Sequence, residues 1–295
     1  MTLEQLRIFV AVAEREHVTQ AAHHLNLTQS ATSAAVSALE HRYQAKLFDR
    51  VGRRIALTAA GRLFLSEARA VLVRAASAET VLADLAGLRR GTLALTASQT
   101  VANYWLPPLM HRFRARHGGI SMTLRIGNTE SVTSWVHEGL VDAGFIEGAI
   151  NDPALDCEPV ADDELALVVS PEHAWTREPP ASERDFAKTR WVLREPGSGT
   201  RAIAEEVLAS RGVSLSAADI ALELPSNEAV RSAVEAGAGA TVISQLVVAG
   251  SLKAMSLARI AVAMPTRQFV MIRRKDRYLT HAEVAFRDLV RGAAA

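Results

Sequence analysis

The chain has 295 residues, more than the ~100–150 of an ordinary domain, so two or three compact units are expected. Hydrophobic residues at 49% and charged residues at 22% exclude a disordered chain, and 33 Lys/Arg against 32 Asp/Glu exclude a uniformly basic nucleic-acid coat. The single cysteine, Cys157, excludes an internal disulfide or a multi-thiolate metal centre.

No apolar run approaches the ~20 residues of a membrane span, and the opening Met1-Thr2-Leu3-Glu4-Gln5-Leu6 is no secretory signal. A cytoplasmic protein with no membrane partner is expected. The charge is uneven: residues 1–62 carry eight Lys/Arg and five Asp/Glu, whereas residues 91–295 carry 21 and 24. A basic head on a mildly acidic body suits a nucleic-acid reader joined to another module.

Leu3, Leu6, Phe9, Val10 and Ala13 recur at helical spacing and predict a first amphipathic helix. A second is expected to open at Thr19 as N-cap and to run through Ala21 and Ala22 to Leu25, with Asn26 in the turn. Thr28 then caps a third, carrying Ala31, Ala35, Val36 and Leu39. Alanines where helices must approach closely make this a helix-turn-helix pattern. From its start at Thr28, the third helix would present Gln29, Ser30, Ser33 and Ser37 to the major groove, where amides and hydroxyls pair with base edges or phosphates. Leu47-Phe48, a turn at Gly52 and a return through Ile55-Ala56-Leu57 predict a hairpin, or wing. Its Arg50, Arg53 and Arg54 would lie over phosphates or the minor groove. His23, His24 and His41 lack acid or thiol partners at ligand spacing and read as surface residues, so no metal site is expected.

Thr58 can cap a helix running to about Leu88. Phe64, Ala68, Val71, Ala75, Ala78, Leu82 and Leu85 are spaced alternately four and three apart, a heptad seam that favours a coiled-coil homodimer over a helix lying on its own protein. Gly87 and Gly91, flanking Arg89-Arg90, mark a hinge. The expected division is therefore a DNA-binding head at 1–58, a linker helix at 59–90 and a ligand-binding body at 91–295.

In the body, strands are predicted at 92–96, 121–126, 143–146, 165–169 and 191–193. Helices are predicted at 101–117 (interrupted at Pro107-Pro108), 129–139, 200–212, 227–236 and 244–252. The alternation argues an α/β fold with a largely parallel sheet, and no internal repeat is apparent. Asp162-Asp163-Glu164 and Pro265-Thr266 read as crossings between a lobe I at 91–162 plus 267–295 and a lobe II at 163–266.

Four strand-to-helix turns share one chemistry: Ala97-Ser98-Gln99-Thr100, Gly127-Asn128-Thr129, Pro196-Gly197-Ser198-Gly199-Thr200-Arg201 and Pro225-Ser226-Asn227-Glu228. Ligands of open α/β folds sit where such helix N-termini converge. The candidate ligand set is Ser98, Gln99, Thr100, Thr129, Glu147, Ser198, Gly199, Thr200, Arg201 and Asn227, with Arg201 offering a charge-assisted bond to a small anion. Gly-Ser-Gly-Thr is neither a nucleophile elbow nor a P-loop, and nothing local pairs Glu147 with Glu195 as acid and base. Neither an enzyme nor a cofactor is expected. A small-anion binding protein whose head contacts protein rather than DNA remains the second reading, opposed by the polar third-helix face and the arginine wing.

Leu27-Thr28-Gln29-Ser30-Ala31, Ala38-Leu39-Glu40, Leu47-Phe48-Asp49-Arg50 and Leu57-Thr58-Ala59-Ala60-Gly61 resemble the head motif of the LysR-type transcriptional regulators, and the likeness extends over essentially the whole chain. The resemblance implies a winged helix-turn-helix, a dimerising linker helix and a two-lobed effector domain like that of periplasmic binding proteins. It also implies promoter DNA and a small-molecule effector as partners, with a dimer or a dimer of dimers as the assembly. Ala34 and Ala35 stand where the family often carries long polar residues, which puts more of the readout on Gln29, Ser30 and Ser33. Ala97-Ser98-Gln99-Thr100, Glu147-Gly148 and Leu193-Arg194-Glu195-Pro196-Gly197-Ser198-Gly199-Thr200-Arg201 look like the branch containing regulators of sulfur assimilation and carbon fixation. That likeness implies an anionic effector lined by Ser98, Thr100, Ser198, Thr200 and Arg201.

Overall fold

The computed structural model describes residues 1–51, 54–85, 91–216 and 219–294, the side chains of Arg50, Val51, Arg54 and Ala294 apart. It divides into two compact units, one of Met1–Leu82 with Glu138–Leu140 and one of Ala83–His137 with Val141–Ala295. The predicted hinge at Gly87 and Arg89-Arg90, and the wing residues Gly52 and Arg53, lie outside the described residues.

The first unit opens with helix α1 (Leu3–Arg15), started by a capping box in which Thr2 Oγ1 accepts from the Gln5 amide and Gln5 Oε1 accepts from the Thr2 amide. Helix α2 (Val18–His24) is capped by His17, whose Nδ1 accepts from the Gln20 amide at 3.4 Å. Thr19, expected to be the cap, lies inside that helix. Helix α3 (Gln29–Tyr43) does begin from Thr28, whose Oγ1 accepts from the Ala31 amide at 3.2 Å. It buries Thr32, Val36 and Leu39, whereas Ala31, expected on the packed face, is exposed. Leu6, Phe9, Leu39 and Leu47 form one half of the core and Ile8, Val12, Ala21 and Val36 the other. The Phe9 ring lies against those of Phe48 and Phe64, at centroid distances of 5.5 and 4.8 Å. His23, His24 and His41 are exposed.

Strands β1 (Phe48–Val51) and β2 (Arg54–Leu57) pair antiparallel, Val51 opposite Arg54, as the expected hairpin. Its base is held from α3, because Glu40 Oε1 accepts from the amides of Leu47 (2.7 Å) and Phe48 (3.1 Å). Thr58 donates to the Lys46 carbonyl and accepts from the Gly61 amide, starting helix α4 (Ala59–Leu85). The heptad seam of α4 is divided by use. Ala68 is buried and Phe64 half-buried in the core of the head, while Val71, Ala78, Leu82 and Leu85 are exposed, Leu82 by 68%.

The second unit begins with strand β3 (Gly91–Ser98), a π-helical turn (Val101–Trp105) and helix α5 (Leu106–Arg116). Pro107 and Pro108 fall in the first turn of α5, where no amide is needed, so the prolines start a helix rather than break one. Then come β4 (Ile120–Gly127), α6 (Thr129–His137), β5 (Ala143–Glu147), β6 (Leu155–Asp163) and β7 (Leu165–Val169). A short α7 (Glu183–Lys188) leads to β8 (Trp191–Arg194), α8 (Gly199–Ala209), β9 (Ile220–Leu224) and α9 (Asn227–Glu235). The chain closes with β10 (Thr241–Ser244), α10 (Gln245–Lys253), β11 (Ala258–Ile260), β12 (Arg267–Arg274) and α11 (His281–Ala294).

These strands form two sheets rather than one. The first has the order β4-β3-β5-β12-β6, with β3 parallel to β4 and β5, and β12 antiparallel to β5 and β6. In the second, β8 pairs parallel with β9, a parallel bridge from Trp191 to Ala240 leads to β10, and β7 runs antiparallel to β10 and β11. The expected largely parallel sheet is thus mixed. Both lobes also share one topology, in which the second, first and third strands of a βαβαβ unit are followed by two antiparallel strands. That is a repeat of fold which the sequence does not show. The predicted turn Asp162-Asp163-Glu164 is the end of β6, and β6 and β12 are the two crossings between lobes, Asp163 standing opposite Arg267. Among the described residues no helix is long and apolar enough to cross a membrane.

Candidate functional site

Glu195-Pro196-Gly197-Ser198 links β8 to α8 as a tight turn. The Ser198 amide donates to the Glu195 carbonyl at 3.3 Å, with Pro196 at the second position and Gly197 at φ +83° in the third. This is the type II pattern, in which the third position calls for glycine. The turn delivers Ser198 to the start of α8, where its hydroxyl makes no capping bond, so the cap leaves the first helix amides open to another acceptor. Gly199 is held against lobe I: a methyl group there would meet Thr129 Oγ1 at 2.7 Å and the Glu147 carbonyl at 2.9 Å.

Side chains from both lobes close over this point. Gln99 donates to the Pro225 carbonyl (2.9 Å) and accepts from the Asn227 amide (2.9 Å), and Asn227 Nδ2 donates to Thr100 Oγ1 (2.9 Å). Asn128 Nδ2 donates to Glu195 Oε1 at 3.2 Å, and Arg194 grips both Glu195 oxygens while donating to Asn227 Oδ1. Burial opposes ionisation of Glu195, but the bonds and charge of Arg194 outweigh it and hold the carboxyl below its ordinary range.

Within this frame Ser98, Thr100, Ser198, Thr200 and Asn227 are all buried. The Ser98 hydroxyl, in a residue 1% exposed, has no hydrogen-bond partner among the described residues. A buried hydroxyl without a partner is costly and calls for a missing bond. Glu147, 5% exposed at the end of β5, accepts from Thr129 Oγ1 at 3.5 Å. The structure therefore brings together nine of the ten predicted ligand residues, and Arg201 is the exception. Its guanidinium donates to Glu205 (2.7 Å) and Glu223 (2.5 Å) of its own lobe, which spends the charge intended for an anion.

Besides Arg194, a second buried cation stands at the cluster, Arg267, which sequence reasoning missed. Its Nε and Nη2 donate to Asp163 Oδ2 at 2.9 and 2.5 Å, and its Nη1 reaches Thr200 Oγ1 at 3.5 Å. Both members of the pair are buried, and Ser244 Oγ completes Asp163 by donating to Oδ1. Burial raises the Asp163 carboxyl against the opposing pull of Arg267. The available signal was an arginine heading the apolar run Phe269-Val270-Met271-Ile272 just after the predicted crossing: a charge entering a buried strand requires a partner.

In the head, Gln29, Ser30 and Ser37 are exposed on α3 and Ser33 is half-buried beside them. The Ser30 hydroxyl lies 3.1 Å from Thr28 Oγ1, at the start of the helix. Arg50 and Arg54 stand in β1 and β2 of the wing, and Arg53 is outside the described residues.

Two family models match the chain. Residues 3–62 match the bacterial regulatory helix-turn-helix protein model of the lysR family, and residues 86–295 match the LysR substrate binding domain. The chain is 37% identical over 237 residues to YeiE, an uncharacterized HTH-type transcriptional regulator of Escherichia coli strain K12, covering 80% of this chain and 78% of that one. It is 35% identical, over 80% of its own length and 77% of the other, to the RuBisCO operon transcriptional regulator of Allochromatium vinosum. Full-length CbnR, solved in complex with its target DNA, superposes with a TM-score of 0.74 at 22% identity, covering 100% of both chains.

Proposed function

The chain belongs to the LysR family of bacterial regulatory helix-turn-helix proteins, and from that premise we propose that a small anion bound between the two lobes of its substrate-binding domain controls promoter binding by its head. It is a DNA-binding transcriptional regulator, not an enzyme. The observation that carries the effector reading is the unpartnered, buried Ser98 hydroxyl at the end of β3, next to Gln99 and Thr100, whose bonds to Asn227 reach the other lobe. The residues proposed to line the effector are those nine with Arg267 in place of Arg201. The similarity to relatives named as RuBisCO transcriptional regulators supports placing the chain near regulators of carbon fixation.

The effector must bind one arrangement of the lobes better than another, since a ligand with equal affinity for both shifts nothing. Thermal unfolding of the full chain against sulfite, sulfate, phosphate, thiosulfate and phosphorylated sugars tests this. A ligand at about 100 times its Kd stabilises by roughly 2.7 kcal/mol. A selective rise in Tm that Ser98→Ala or Thr200→Ala removes supports the cleft; a rise that both variants keep overturns it.

On the DNA side, we propose that α3 reads the major groove through Thr28, Gln29, Ser30, Ser33 and Ser37, and that Arg50, Arg53 and Arg54 of the wing hold the backbone. Each arginine on a phosphate contributes about 0.9 to the slope of log K against log salt, so Arg50→Ala or Arg54→Ala should flatten the slope by about that amount. An unchanged slope overturns the assignment. The exposed half of the α4 seam, Val71, Ala78, Leu82 and Leu85, is the proposed homodimer contact, which would set two heads on a two-fold site.

A further inference from the structure

We propose that Glu147 makes the effector site selective for an oxyanion that still carries a proton at neutral pH, such as hydrogenphosphate, hydrogensulfite or hydrogencarbonate, and rejects fully deprotonated sulfate. The inference rests on the interlobe effector reading and narrows it to one chemical class.

The charges at the site do not favour a bare anion. Arg267 is committed to Asp163 through two of its nitrogens, and Arg194 is committed to Glu195 through two of its own. Glu147 has no ion-pair partner among the described residues, and its one described hydrogen bond comes from Thr129 at 3.5 Å. It is 5% exposed, and its charge bears on Asp163. A carboxylate so placed only accepts hydrogen bonds. An oxygen without a proton would lie against it as a buried like charge, and an oxygen with a proton would donate to it.

The other groups suit the remaining oxygens. Arg267 Nη1 extends toward Thr200 and makes only the long 3.5 Å contact there, the Ser98 hydroxyl has no partner, and Ser198 leaves the start of α8 uncapped. Glu147 is placed against the start of α8: a methyl group at Gly199 would meet its carbonyl at 2.9 Å and its Cβ at 3.2 Å, and Ala97 opposite Phe145 puts Ser98 at the same carboxyl end of the neighbouring strand. Donors on one side and a single unmatched acceptor on the other recognise an acid oxyanion by its proton.

Calorimetric titration of the full-length protein at one near-neutral pH tests this, with inorganic phosphate, sulfite, bicarbonate and sulfate as separate arms. The first three differ in the central atom, so the arms also identify which source of the shared chemistry is preferred. At least one of them should bind, with sulfate weaker by on the order of 10²–10⁴-fold. Glu147→Gln keeps the shape and supplies a donor, and should bring sulfate to within about tenfold of the preferred anion. Comparable binding of sulfate to the unaltered protein overturns the proposal without any variant, and so does a Glu147→Gln protein that keeps the original ratio. If none of the protonated oxyanions binds, while another ligand raises Tm in a manner abolished by Ser98→Ala, the cleft reading stands and the selectivity proposal falls.

Discussion

Arg267, the first residue of β12, donates twice to Asp163, the last residue of β6, and the two stand opposite each other in the sheet register. These strands are the two connections between the lobes. The pair therefore locks both crossings at one buried point, and Arg267 also touches Thr200 of the effector cluster.

Removing one partner leaves the other as an uncompensated buried charge, which typically costs 3–5 kcal/mol. Arg267→Met should lower the unfolding free energy of the substrate-binding domain, read from urea denaturation, by that amount, and adding Asp163→Leu should recover most of it. Additive losses in the double variant would show that the two residues act separately.

Glu195 gives a pH dependence of defined sign. Its carboxyl is held below the ordinary 4.5 because the bonds and charge of Arg194 outweigh its burial. A depressed folded-state value contributes stability that is present above about 4.5 and lost as pH falls through the folded value. Glu195→Gln should be less stable than the parent by about 1.5–3 kcal/mol at pH 7. The difference should shrink on the acid side of 4.5, and a gap that persists unchanged to pH 3 would exclude the mechanism.

Glu40 accepts from two successive amides at the base of the wing. Glu40→Ala leaves both donors without their partner and should cost about 1–3 kcal/mol in the head. DNA affinity should fall with it. Loss of stability without loss of DNA binding would show that the wing does not depend on this bracket.

Gly197 sits at φ +83°, and a methyl group there would strike the Glu130 carboxylate. Gly197→Ala should destabilise the substrate-binding domain by at least about 1–2 kcal/mol, measured by denaturant unfolding. An unchanged midpoint would mean that the turn rearranges freely.

Replacing Leu82 and Leu85 by lysine tests the exposed half of the α4 seam. Sedimentation should show a shift toward monomer, because two charges in a heptad seam oppose coiled-coil packing. The same change at Phe64 should instead unfold the head, whose core it joins.

Local chemistry determined a great deal from the sequence alone. Thr28 as a cap, the hairpin at residues 48–57, the uninterrupted helix after Thr58 and the Pro-Gly turn before α8 each depend on a few neighbouring residues, and each stands where expected. Thr19 and Ala31 were misplaced because caps and packed faces shift by one or two residues once neighbouring helices dock. That nine of the candidate residues gather at the strand-to-helix turns was legible because small and polar residues at such turns have a local signature; their role as ligands is the proposal. Tertiary structure alone decided the rest. Arg201, two residues from the turn, looked like the cation of the site, yet acids 4 and 22 residues away take it. Arg267, 104 residues from Asp163, became a buried cation because two strands running in opposite directions set them face to face. No local pattern encodes a pairing of that range. The same holds for the repeated lobe topology, which is fixed by strand order and not by any recurring residue.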